Sequence, residues 1–108
     1  MMLAMLTERR RARVLLVRAW TNDPAVVIEQ LYAAGVEPEL TRVDFEAALH
    51  AALTKDRFDL VVHDEAALSR DQIDAALREC AHAPPIVKIE PFASLAARVA
   101  DALRARRH

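Results

Sequence analysis

Four times in succession along this chain of 108 residues, a short apolar run is followed by a segment with apolar residues at helical spacing, and that alternation restricts the fold more than any other feature. Residues 14–17, Val-Leu-Leu-Val, are continuously apolar, as expected of a strand covered on both faces. Residues 58–63 and 86–89 read as two further short strands. Residues 36–43 alternate apolar and polar side chains and include Pro38, which lacks a ladder donor and so belongs at a sheet edge. Strands that alternate with helices favour a parallel sheet with right-handed crossovers. The expected fold class is α/β, a three-layer βα repeat on a short parallel sheet.

The helix boundaries carry their own signals. Asp23 is placed to cap the first helix, Pro24 suits its first position, and Val27, Ile28 and Leu31 form its apolar stripe. Gly35, the only glycine, stops it. Asp44 is expected to cap a second helix whose stripe is Phe45, Ala48, Leu49, Ala52 and Leu53. Ser69 and Gln72 have capping-box spacing ahead of Ile73, Ala76, Leu77 and Cys80. Pro84, Pro85 and Pro91 bracket the last strand, and Ser94 is expected to cap a final helix carrying Leu95, Val99, Ala102 and Leu103.

An apolar content of 54% at this length implies one domain with an ordinary core, residues 13–108, behind a basic N-terminal extension, residues 1–12. The net charge of -1 gives no global nucleic-acid signature, but it is unevenly spread. Residues 1–13 and 98–108 each carry +3, which leaves -7 on the body between them. The ends read as solvated termini or, in a sharper reading, as arms for nucleic acid or an acidic partner. Cys80 is the only cysteine, so no internal disulfide forms and a reducing cytoplasm is expected. It falls on a helix stripe and reads as core. No run approaches the roughly 18 apolar residues that a membrane span needs. Residues 1–6 are apolar but precede the arginines, the reverse of a secretory signal. Abundant Ala and Arg with few Lys suggest a GC-rich bacterial source.

No Ser-His-Asp order, Walker loop, CxxC or glycine-rich dinucleotide turn is present, so no independent enzyme, catalytic residue or cofactor is expected. The informative residue is Asp64. It closes Phe58-Asp59-Leu60-Val61-Val62-His63-Asp64, a carboxylate at the carboxyl end of a strand, where parallel α/β sheets bind ligands. Other segments join it: Arg13-Val14-Leu15-Leu16-Val17, Ala33-Ala34-Gly35-Val36, Thr41-Arg42-Val43-Asp44 and Glu46-Ala47-Ala48-Leu49. Pro84-Pro85-Ile86-Val87 and Pro91-Phe92 followed by Leu95-Ala96-Ala97-Arg98-Val99 complete the set. Together they resemble the receiver domain of bacterial two-component response regulators over roughly residues 12–104. The resemblance implies a flavodoxin-like strand order 2-1-3-4, phosphorelay signal transduction, and the phosphoacceptor position at Asp64.

The departures from that family matter more than the match. Receivers carry an acidic pair after the first strand to hold magnesium; here Arg18, Ala19 and Trp20 stand there. No Ser or Thr ends the fourth strand, and the residue before Pro91 is Glu90, with Lys88 two positions earlier. The spacing from Pro85 to Pro91 is too short for a further helix and strand, so the fifth βα unit is expected to be missing. The expected function is a pseudo-receiver that signals by protein contact, with Arg18, Ala19, Trp20, Lys88 and Glu90 lining its pocket. Arg18 is expected to pair with Asp64 in place of a metal. Trp20 reads as a lid, a partner anchor or a packing residue. His63 points to the opposite face from Asp64, so no metal pair forms there, and His50 and His82 read as surface or boundary residues. One alternative is an atypical working phosphoacceptor at Asp64, and magnesium enters only with it. A second is an adaptor acting through the arginine-rich ends. The expected partners are a signalling protein, a kinase or downstream regulator, and a second copy docked through the last strand and helix.

Overall fold

The computed structural model describes residues 10–18 and 23–106. Its elements are β1 (Arg10–Val17), α1 (Ala25–Ala33), β2 (Val36–Val43), α2 (Glu46–Lys55), β3 (Leu60–His63), α3 (Arg70–Leu77), β4 (Ile86–Lys88), a 3-10 turn (Phe92–Ser94) and α4 (Leu95–Arg106). The four strands form one all-parallel sheet in the order β2-β1-β3-β4, a flavodoxin-like three-layer fold. Pro38 sits on the edge strand β2, as its missing donor requires.

β1 lies between β2 and β3, with Val14 to Val17 in register with Leu40 to Val43 on one side and Leu60 to His63 on the other. Strand alternation then divides the core. Val14, Leu16, Leu60 and Val62 meet Val27 and Leu31 of α1 and Leu95, Val99 and Leu103 of α4. Leu15, Val17 and Val61 meet Leu49 of α2 and Ile73 and Ala76 of α3. Because both faces of β1 are covered at residues 14–17, polar side chains find no place there, and that is why these residues read as an unbroken apolar run.

Several sequence readings shift. β1 starts at Arg10, so residues 10–12, assigned to the extension, belong to the strand, and Ala12 is buried. Phe45 is not on the α2 stripe: it occupies the N-cap in an extended conformation and is 57% exposed. No side chain caps that helix, Asp44 included. The Ser94 hydroxyl accepts from Arg98 Nε at 3.0 Å and faces the Pro91 carbonyl, rather than receiving a helix N–H. Other boundaries follow the sequence. The Asp23 carboxylate accepts the Ala25 N–H at 2.9 Å. Gly35 takes φ +81°, a left-handed conformation that stops α1 at low cost only for glycine. Ser69 and Gln72 form both halves of the capping box. Cys80 is half-buried beyond the end of α3 and packs against the α2/α3 core.

Candidate functional site

The topology brings the ends of all four strands and the starts of all four helices to one edge of the sheet. Arg18 follows β1, Asp64 follows β3 and Lys88 ends β4. β1 and β3 flank the point where the chain's crossovers change direction, which is the ligand position in open α/β sheets.

Asp64 is committed to its own loop. Its N–H donates to the Val17 carbonyl at 2.9 Å, and its Oδ1 accepts the Ala66 N–H at 3.0 Å in an Asx turn. The Asp64 carbonyl also receives the Ala67 N–H. The acid therefore shapes the β3–α3 loop while its side chain remains half-exposed.

The expected Arg18–Asp64 ion pair does not form. The Arg18 backbone N–H donates to the Val43 carbonyl at 3.0 Å, and its guanidinium lies over the Phe92 ring, 5.8 Å from the centroid. Phe92 comes from the turn before α4 and offers an aromatic face that attracts a weakly hydrated cation. Nε and Nη1 of Arg18 are sealed from solvent with no acceptor among the described residues. Lys88 pairs with Glu65 in the β3–α3 loop, and that contact holds the Glu65 carboxyl below the usual range. Glu90 is exposed and precedes the cis peptide to Pro91. Ala19 and Trp20 lie outside the described residues, as do most of the basic N-terminal arm and the last two residues.

Other residues join the edge that the sequence did not single out. Arg98 reaches back from α4 and donates to the carbonyls of Lys88, Ile89 and Pro91, so it fastens the β4–α4 turn. Only its spacing of four from Ser94 hinted at a contact, through the Nε bond. Phe45 is exposed at the start of α2 on this same edge. His63 is buried, with its Nε2 at the Leu68 carbonyl. Among the described residues no group of three His, Cys, Asp or Glu side chains could hold a metal ion. A cleft of about 400 Å³, lined by residues such as Leu53, Arg57, Phe58 and Pro84, lies at the other edge of the sheet, away from these residues.

No family model, curated protein or solved structure matches the chain. Among the described residues no helix is long and apolar enough to cross a membrane.

Proposed function

We propose that the chain is a receiver-like signalling module that acts through protein contact at the carboxyl edge, without phosphoryl chemistry. One observation carries the reading: Arg18 stands where a metal-holding acid would be needed, and its guanidinium lies over Phe92 with Nε and Nη1 sealed from solvent. Phosphoryl transfer to a carboxylate needs positive charge beside the transferred oxygens to neutralise them. Magnesium normally takes one or two carboxylates plus water and phosphate. Asp64 alone, tied to Ala66 N–H, does not make that donor set. What the edge offers instead is an exposed aromatic, Phe45, after β2 and the Glu65–Lys88 ion pair at β3 and β4.

The test is affinity enrichment from the source cell with wild type, Phe45→Glu and Asp64→Asn. A partner retained by wild type and Asp64→Asn but lost with Phe45→Glu supports the reading. An identical set for wild type and Phe45→Glu removes the edge from consideration.

A second reading concerns self-association. Among the described residues β4 pairs only with β3, so the N–H and C=O of Ile86 and the N–H of Lys88 point to the open side. A groove of about 370 Å³ runs there, between Arg70 and the α4 residues Arg98, Asp101 and Ala102. A second copy pairing through β4 and α4 would satisfy those groups. Light scattering that gives the mass of one chain at micromolar concentration would exclude it.

A further inference from the structure

His63 is the only fully buried polar side chain among the described residues, 1% exposed. It ends β3, on the side facing α2 and α3, and its Nε2 lies 3.0 Å from the Leu68 carbonyl. That contact closes the loop of residues 64–69, which carries Asp64 and Glu65 and ends in the cap of α3. A neutral imidazole has one N–H and one bare nitrogen. A carbonyl can only accept, so the bond puts the proton on Nε2 and leaves Nδ1 bare. Nδ1 is sealed and meets no partner among the described residues. A bare lone pair in apolar surroundings is tolerable; a second N–H carrying positive charge there, with nothing to accept it, is costly.

We propose that His63 is a proton-operated latch: neutral, it holds the 64–69 loop closed through Leu68, and protonated, it releases the loop. The elements around the ring set the balance. β1 places apolar Val17 beside it. The Leu68 carbonyl and, more weakly, Glu65 in the loop favour the proton, whereas Arg70 of α3 and Lys88 of β4 oppose it. The Asp64 carboxylate is turned to Ala66 N–H, and the Arg18 guanidinium lies over Phe92. Burial outweighs the rest and pushes the His63 pKa below its ordinary value. With the loop open, the ring regains that ordinary value of about 6.5. The opening constant therefore rises about tenfold for each pH unit between the ordinary value and the lowered one. Release takes Leu68, 6% exposed, out of its packing with Ile73 and Ala76. The latch rests on the fold alone and stands whether or not the carboxyl edge binds a partner.

The test is amide exchange by NMR on the full chain from about pH 7.5 to about pH 5, bracketing the ordinary imidazole value, together with the ¹³C titration of the His63 ring. After correction for intrinsic exchange, protection at Ala67 and Leu68 falls about tenfold per unit in the window. Protection at Leu16 stays higher than at Ala67 and Leu68 across the range. His63→Gln removes the pH dependence and Glu65→Gln keeps it. Constant loop protection in wild type, the same loss in His63→Gln, or a ring titrating at or above the ordinary value each overturns the latch. The ring titration decides the matter even where His63→Gln fails to fold.

Discussion

Replacing Arg98 by methionine removes the guanidinium but keeps an apolar stem against α4's neighbours. The guanidinium bonds Ser94 Oγ at 3.0 Å, Pro91 O at 2.7 Å and Ile89 O at 3.3 Å, together with the Lys88 carbonyl. Hydrogen bonds to a charged group contribute about 1.5–3 kcal/mol each. A sum over all of them would rival the whole stability of a small domain, about 5–15 kcal/mol. Such a sum overstates the loss, because Lys88 and Pro91 are exposed and their carbonyls regain water. Ile89 is 2% exposed, and its carbonyl is the one left facing an apolar surround. The expected loss is therefore about 2–3 kcal/mol, one orphaned carbonyl plus the undone turn. In urea unfolding this lowers the midpoint by about 1–2 M with the slope unchanged, because the surface exposed on unfolding is the same. A loss under about 0.5 kcal/mol, ordinary for a surface substitution, would mean that Arg98 does not hold the β4–α4 turn.

The remaining predictions are narrower. Gly35→Ala costs about 1–2 kcal/mol in the same assay, all of it from the backbone, because an added Cβ at φ +81° meets nothing within 4 Å. Ser69→Ala removes the capping box of α3 and costs about 1 kcal/mol by thermal or urea unfolding. Stability depends on pH through His63, whose folded pKa is lowered, so the unfolded chain takes up the proton first. The His63 contribution is complete above about pH 6.5 and is lost as pH falls below it; urea midpoints across that range show the slope, and His63→Gln flattens it. Glu65, also lowered, acts in a separate window: its contribution is present above the ordinary carboxylate range and is lost only as pH falls below it.

The layers and the edge position of β2 were legible because each depends on a local pattern, whereas the full strand order came from the resemblance. Residues 14–17 are unbroken and apolar because two helical layers cover β1, and Pro38 marks an edge because it lacks a donor. The Ser69 and Gln72 box and the Gly35 stop were legible for the same reason. What failed depended on competition between partners distant in sequence. Arg18 had Asp64 within reach in the sequence argument, but Phe92, 74 positions later in the chain, takes the guanidinium. The Lys88 partner was equally hidden: Glu65, on the β3–α3 loop, pairs with it at the carboxyl edge. Phe45 looked like stripe because it falls at the right spacing, yet α2 begins one residue later and turns the ring out. Arg98 lay hidden because a clamp on three carbonyls leaves no side-chain pattern to read.

The central claim is that the carboxyl edge binds without accepting a phosphoryl group. The direct measurement is the intact mass of the chain after incubation with acetyl phosphate and magnesium, for wild type and Asp64→Asn. The account predicts that wild type keeps its unmodified mass, indistinguishable from Asp64→Asn. A phosphoryl adduct on wild type that is absent from Asp64→Asn would contradict it.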